Sequence, residues 1–228
     1  LIKYDPNGNH IWTKQFGGNN YQTIPTYYAE AITNVVFDSA SNCIYITGTY
    51  YQICQFDTIT LNAQSGYTDN FLARLDANGN FIWVKNISSL PGGVESGNIL
   101  SCDQNGSLFI LSGFSNGGYI DSVGFPLGNS LATILIDGTM KGPPVSLNLN
   151  SYQIINMQYS SGSLLMLGGS NDTLTIDTIY IDSINSSSGI LTCWDTTGHI
   201  LWERHTMDGN VYTGNFTYDD IGNIIVTY

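Results

Sequence analysis

The feature that most constrains this chain is a recurring pattern: an apolar run, an Asp-x-x-Gly turn, a second apolar run and a Trp. In residues 70–87, NFLARLDANGNFIWVKNI, Asp76 and Gly79 supply the turn and Trp83 the tryptophan. An Asp side chain can accept hydrogen bonds from the amides that follow it, and Gly can take the left-handed conformation that a short hairpin loop needs. The pattern therefore predicts a β-hairpin. Because stretches such as FIWV are apolar at successive positions, we expect both faces of its sheet to be covered.

Two further copies keep the same internal spacing, one lying 71 residues before this stretch and one 119 residues after it. Their residues are Asp5, Gly8 and Trp12, and Asp195, Gly198 and Trp202. A degenerate copy places Asp137 at an offset of 61 from Asp76, with a shortened or altered turn, and has Pro143 and Pro144 where the Trp would stand. A turn that returns at fixed internal spacing indicates a repeat architecture.

A second recurring stretch precedes each hairpin and has the pattern of two strands joined by a tight turn. It occupies 35–50, 99–114 and 156–170, with a partial copy at 216–228. Gly48, Gly113 and Gly168 mark the same point in the three full copies, at spacings of 65 and 55. Each unit is therefore predicted as strand, tight turn, strand, loop, strand, Asp-Gly turn, strand, which is typical of one β-propeller blade.

These units predict an all-β chain that forms a single β-propeller region, 1–228, with about four blades' worth of four-stranded antiparallel sheet. We expect the second half of a blade at 1–19, whole blades at 20–91, 92–150 and 151–210, and the first half of a blade at 211–228. The sixteen strands fit a closed four-bladed ring or an arc of a larger propeller. We favour the arc, because neither end carries the turn residues or polar cap that closes a repeat array.

Stacked blades also give the recurring tryptophans a structural role. We expect Trp12, Trp83 and Trp202 to wedge between neighbouring blades, each with its indole N–H close to a carbonyl. The six cations all fall on the hairpins, and we expect them to pair with the turn Asp or a neighbouring Glu. They are Lys3, Lys14, Arg74, Lys85, Lys141 and Arg204.

The charge balance bears on partners. Six Lys and Arg against eighteen Asp and Glu give a net charge of −12, which disfavours nucleic acid and anionic membranes. No segment has the apolar length needed to span a bilayer, so we expect no membrane insertion. The chain begins with Leu1 rather than Met and has no visible signal peptide, so we expect that processing or truncation removed its start.

Residue types that carry chemistry occur without a spacing that joins them. The four cysteines, Cys43, Cys54, Cys102 and Cys193, contain no Cys-x-x-Cys pair, and buried free thiols or one disulfide both fit. In the Asp-x-x-Gly loops the Gly comes too early for an EF-hand, and the closing Glu is missing. The three histidines lack the framing of a nucleophilic triad. We therefore predict no catalytic residues, no metal and no cofactor.

The stretches NCIYITGTY at 42–50 and DNFLARLDANGNFIW at 69–83 resemble the bacterial β-propeller repeats called SBBP repeats. The resemblance is strongest over 31–87 and extends over the whole chain. Such repeats are common in exported proteins of Bacteroidota, so the resemblance implies a secreted or surface-attached propeller. It also implies further domains of the parent chain, often including a sorting domain for type IX secretion. The family offers no catalytic residues to transfer.

The L-D-A-N-G-N-F-I-W stretch is also similar to the docking repeats of pyrroloquinoline-quinone propellers, with the Asp one residue nearer to the Gly. Such a dehydrogenase usually has a vicinal disulfide, and this sequence has no adjacent cysteines. We therefore expect a non-catalytic extracellular or cell-surface propeller that serves adhesion, scaffolding or recognition of a protein or glycan partner. The alternative is a carbohydrate-active or quinone-dependent enzyme that uses loop tyrosines, namely Tyr27, Tyr28, Tyr50, Tyr51 and Tyr67.

Overall fold

The computed structural model places most of the chain in β-strands. It describes residues 1–18, 30–64, 68–93, 95–147, 149, 152–170, 174–176, 179–181, 188–208, 214–219 and 221–227. Within these ranges the backbone forms twenty-two strands and no helix, so the predicted all-β class is confirmed. The same ranges accordingly contain no helix that could cross a membrane.

The first part of the chain forms an end hairpin and one four-stranded meander. Strands β1 to β8 are Ile2–Tyr4, His10–Thr13, Ala31–Asp38, Cys43–Tyr51, Ile53–Phe56, Ile59–Asn62, Thr68–Asp76 and Phe81–Ser89. β1 pairs with β2, and β3, β4, β7 and β8 follow one another antiparallel in the first sheet. β5 and β6 form a separate hairpin between its second and third strands.

The middle of the chain repeats this order. Strands β9 to β14 are Glu95–Cys102, Ser107–Phe114, Gly118–Ile120, Val123–Phe125, Gly128–Leu135 and Val145–Leu147. β9, β10, β13 and β14 form the second sheet. The inserted hairpin β11–β12 pairs with β8, so it extends the first sheet to six strands.

The last part contains the third sheet and a second end hairpin. Strands β15 to β22 are Tyr152–Ser160, Ser163–Ser170, Leu174–Ile176, Ile179–Ile181, Ser188–Asp195, Ile200–Asp208, Asn215–Tyr218 and Ile224–Thr227. β15, β16, β19 and β20 form the third sheet, with β17–β18 as its inserted hairpin. β21 pairs with β22, and among the described residues this hairpin is a sheet separate from β1–β2.

The inserted hairpins differ from the sequence prediction. A plain loop was predicted between the second and third strands of each unit, whereas β5–β6, β11–β12 and β17–β18 occupy these connections. Among the described residues, the three meanders and the two end hairpins account for sixteen strands, and the insertions supply the other six of the twenty-two.

Hydrophobic cores lie between successive sheets, because side chains alternate across each buried strand. On β16, Leu164 and Met166 join Phe109 of the second sheet in one cluster. Their neighbours Leu165 and Leu167 belong to a different cluster, shared with β21–β22. Comparable clusters join the first sheet to β1–β2 on one face and to the second sheet on the other. The four-stranded sheets are thus covered on both faces over most of their area.

Coverage is incomplete at some positions. Ile82, in the FIWV run of β8, is 45% exposed, so the expectation that this run is covered on both faces is wrong at that residue. On β3, Val35 and Phe37 are 56% and 49% exposed. The first strands of successive units nevertheless contact one another: β3 with β9, β9 with β15, and β15 with β21.

Candidate functional site

The Asp-Gly turns form the hydrogen bonds expected from the sequence. One carboxylate oxygen of Asp76 accepts the backbone N–H groups of Asn78 and Asn80 at 2.8 and 2.9 Å. Gly79 has φ of 84°, in the left-handed region. Burial tends to raise the pKa of Asp76, but the combined hydrogen bonds from Asn80, Asn78 and Gly79 hold that pKa below its ordinary value.

The turns at the two ends of the chain use the same bonding. Asp5 accepts the N–H groups of Asn7 and Asn9, and Gly8 has φ of 82°. Asp195 accepts the N–H groups of two residues in its own turn, Thr197 and His199. Gly198 has φ of 88°.

The degenerate copy keeps the turn but in a different register. Leu135 N–H donates to the carbonyl of Thr139, and Gly138 N–H donates to the carbonyl of Leu135. These are the two backbone bonds of the Asp76 turn, so Leu135 takes the place of that Asp. Asp137 stands directly before the glycine, and its carboxylate accepts Thr139 N–H at 2.9 Å. The turn is therefore altered in sequence without being shortened.

A tryptophan from the end hairpin contacts the turn of the first sheet. The indole N–H of Trp12 donates to the carbonyl of Ala77 at 3.0 Å, and the ammonium of Lys3 donates to the same oxygen at 3.0 Å. The ring lies against Gly79, where a Cβ would be 3.3 Å from three ring atoms. The glycine is thus required both by its positive φ and by the ring that covers it.

The same contact recurs between the first and second sheets. The indole N–H of Trp83 donates to the carbonyl of Ile136 at 3.2 Å, and the guanidinium of Arg74 donates to that carbonyl at 2.9 Å. A Cβ on Gly138 would lie 3.2 Å from the Trp83 ring and 3.1 Å from Lys85. The expected indole-to-carbonyl bond is confirmed for both tryptophans, and Lys3 and Arg74 bond carbonyls instead of the expected carboxylates.

The remaining tryptophan of the pattern and the remaining turn glycine have different neighbours. Val145 and Leu147 cover Gly198, the nearest atom of Val145 being 2.6 Å from where a Cβ would lie. Trp202 packs against the cluster shared by the third sheet and β21–β22. The guanidinium of Arg204 lies 5.8 Å from the centre of its indole ring.

One ion pair joins each of the first two inserted hairpins, β5–β6 and β11–β12, to the preceding sheet. Lys14 pairs with Asp57 at 2.6 Å, and Lys85 pairs with Asp121 at 2.7 Å. Both aspartates sit in two-residue hairpin turns at positive φ, 52° and 51°, a conformation that Asp tolerates better than most residues. Lysine pairing with carboxylates is therefore confirmed at these two positions, but the partners lie in the inserted hairpins and not in the Asp-Gly turns.

The three recurring glycines occupy one kind of position. Gly48, Gly113 and Gly168 lie on β4, β10 and β16, each beside an irregular register in the first strand of its sheet. A Cβ on Gly48 would lie 2.0 Å from the carbonyl oxygen of Ala31 and 2.8 Å from the ring of Phe71. Because a glycine has no Cβ, the irregular first strand can lie close to the strand that carries the glycine.

Tyr50 and the four cysteines are placed as packing residues. Tyr50 is buried, and its hydroxyl donates to the side-chain oxygen of Asn86 at 2.6 Å. All four cysteines are free and buried, which decides the question left open by the sequence. Burial raises the pKa of Cys54 to about 12, so this thiol stays protonated at neutral pH. Tyr27, Tyr28 and Tyr67 of the predicted enzymatic alternative lie outside the described residues.

The sequence contains a signal for the inserted hairpins that is separate from the Asp-Gly turns. The dipeptides Asp57-Thr58, Asp121-Ser122 and Asp177-Thr178 recur between β-branched or aromatic residues. The first two form the turns that carry the ion pairs, and the third lies outside the described residues. A short Asp-Thr or Asp-Ser turn flanked by such residues is a hairpin signal.

The sequence matches no known protein-family model and no curated protein.

Proposed function

We propose that this chain is part of a non-catalytic β-propeller of the SBBP-repeat type, secreted or held at the outer cell surface, that acts as an adhesion, scaffold or recognition module. Three meanders share one strand order, and their cores lie between successive sheets. Their first strands lie side by side, as the inner strands of propeller blades do.

The observation that carries the proposal is the contact between Trp12 and Gly79, which recurs between Trp83 and Gly138. In both cases the indole also donates to the carbonyl at the start of the same turn. An identical contact between consecutive sheets fixes an identical step from one sheet to the next. A constant step is what a stack of blades around an axis requires.

The stacking also determines which surfaces are free to bind. Sheets that bury both faces against neighbours leave the turns, and the outer side of the inserted hairpins, exposed at their edges. A net charge of −12 disfavours nucleic acid and anionic membranes, so we propose a protein or glycan partner outside the cell. The parent chain would supply further domains for sorting or anchoring.

Two experiments test this proposal. Protease treatment of intact cells should remove the epitope that an antibody against residues 1–228 detects. An epitope found only in the cytoplasm would contradict the proposed location. Purified protein applied to glycan arrays and to surface-protein arrays should bind a partner, and that partner should be chemically unchanged afterwards. Turnover of a retained glycan would instead favour the carbohydrate-active alternative.

A further inference from the structure

The interface between the second and third sheets lacks the side chains that fill the other two interfaces described above. By strand pairing, Thr133 stands at the position of Arg74, and Gly142 and Pro143 fall where Trp83 would be. Val145, paired with Leu131, takes the place of Lys85, which is paired with Leu72. A tryptophan, an arginine and a lysine are thus replaced by much smaller residues.

A cleft of about 410 Å³ occupies this interface. Its apolar wall is formed by Phe109, Leu131, Pro143, Val145 and Tyr159, and Phe109 and Tyr159 stack with ring centres 5.3 Å apart. Small-molecule sites typically have volumes of ~300–1,000 Å³ and mostly apolar walls. The cleft therefore has the size of a ligand site and one apolar wall.

The polar lining consists mainly of hydroxyl groups, with one acid and one base. It comprises Asp103, Ser107, Thr133, Lys141, Thr196 and Thr197. One carboxylate oxygen of Asp103 accepts the N–H groups of Asn105 and Ser107, which keeps the Asp side chain fixed. Within the described ranges, Thr133, Thr196 and Lys141 make no side-chain hydrogen bond or ion pair, so their polar groups are available to a ligand.

We propose that this cleft binds a neutral saccharide of one or two rings. The C–H faces of a sugar ring can pack on the apolar wall, while its hydroxyl groups exchange hydrogen bonds with Thr133, Thr196 and Lys141. A ligand without net charge suits a lining with one acid and one base, and the net charge of −12 opposes anions. The proposal rests on the proposed recognition function and assigns it a site.

The third turn also favours a sugar over a flat aromatic ligand. At the other two interfaces an indole lies against the turn glycine, but here Val145 and Leu147 already cover Gly198. A ligand next to this turn therefore meets the hydroxyl group of Thr196 and not an open turn glycine.

The test uses residues 1–228 labelled with ¹⁵N and titrated with methyl glycosides and disaccharides of the common hexoses and N-acetylhexosamines. The expected result is that at least one sugar, at about 10 mM or below, shifts the amide signals of Thr133, Lys141, Thr196 and Thr197. Gly142→Trp, placed where no atom lies within 4 Å of a new Cβ, should lower the affinity at least about tenfold by filling the cleft.

Isosteric variants keep the test decisive if Gly142→Trp fails to fold. Thr133→Val and Thr196→Val should each weaken binding, whereas Thr60→Val, on the exposed part of an inserted hairpin, should leave it unchanged. Absence of any shift at the cleft, or binding that none of the cleft variants alters, would overturn the assignment. A sugar or protein partner that binds elsewhere would overturn the cleft while leaving the proposed recognition function standing.

Discussion

The Trp83 ring of the first sheet lies against Gly138 in a turn of the second sheet, so closely that a Cβ on this glycine would be 3.2 Å from the ring. Gly138 also has φ of 88°. The glycine therefore satisfies two requirements at once, a left-handed backbone and a space for the neighbouring indole. The pair Trp12 and Gly79 repeats this relationship one sheet earlier.

Alanine at the turn glycines separates these two requirements. Gly8→Ala should lose about 1–3 kcal/mol of unfolding free energy from backbone strain alone, because no atom lies within 4 Å of the new Cβ. Gly79→Ala, at nearly the same φ, should lose about 1 kcal/mol more, because the new Cβ presses on Trp12. Urea unfolding of both variants measures the difference. Equal losses would mean that the ring contact contributes nothing.

Removing the indole tests the contact from the other side. Trp83→Ala should lower the unfolding free energy by about 2–4 kcal/mol, below the ~3–5 kcal/mol of a fully buried aromatic side chain, because this ring is only partly buried. Trp83→Phe keeps a ring but loses the bond to the Ile136 carbonyl, so its loss should be about 1 kcal/mol. An alanine variant as stable as the phenylalanine variant would contradict the proposed wedge.

The ion pair between Lys85 and Asp121 should contribute little to stability. The two side chains are 18% and 43% exposed, so a double-mutant cycle with Lys85→Met and Asp121→Asn should give a coupling of about 0.2–1 kcal/mol. Asn tolerates the positive φ at this position, which makes it the matched replacement. The coupling should shrink between about 0.05 and about 1 M NaCl. A coupling insensitive to salt would point to a contact other than charge.

The turn aspartates predict loss of stability in acid. Hydrogen bonds within the turns hold the pKa values of Asp5, Asp76, Asp137 and Asp195 below the ordinary 3.8. The same holds for Asp219, whose carboxylate accepts the N–H groups of Ile221 and Asn223 in the turn between β21 and β22. A carboxylate whose pKa is lowered by folding stabilises the fold at pH values above its unfolded pKa. It loses that contribution as the pH falls through its folded pKa. Unfolding free energy should therefore fall between about pH 5 and about pH 2, and less steeply in Asp76→Asn. If the unfolding free energy of Asp76→Asn fell with pH as steeply as that of the unchanged chain, the Asp76 carboxylate would not contribute to this loss of stability.

The buried thiols should be unreactive in the folded chain. Burial raises the pKa of Cys54 to about 12 and that of Cys102 to about 11, so the reactive thiolate is scarce at mildly alkaline pH. Iodoacetamide should label neither residue until the chain is unfolded in guanidinium chloride, as mass spectrometry of proteolytic fragments can measure. Rapid labelling of the native chain would mean that the cores between sheets open readily.

Local chemistry made much of this arrangement predictable. The Asp-x-x-Gly pattern specified the hairpin turns, because only a few residue types bond their own backbone or accept positive φ. The register of the degenerate turn was not predictable from the sequence. Aligning Asp137 with Asp76 shifted the predicted turn by two residues, because in the structure Gly138 corresponds to Gly79 and Leu135 to Asp76. The inserted hairpins were missed because strands of three or four residues, such as Val123–Phe125, are too short to have a clear period.

The candidate cleft was beyond sequence analysis for a different reason. The sequence indicated that Pro143 and Pro144 stand where a Trp would be, but not that the loss would open a space beside Tyr159 and Thr196. Whether a missing side chain leaves a cleft depends on how far its neighbours collapse, and that is a property of packing.

An experimental structure of residues 1–228 tests the proposed propeller most directly, because both the blade arrangement and the cleft depend on how the sheets stack. We predict that β3, β9 and β15 lie side by side around one axis, with Trp12 against Gly79 and Trp83 against Gly138. A structure in which the same strands form a two-layer sandwich, with these indoles in solvent, would contradict the account.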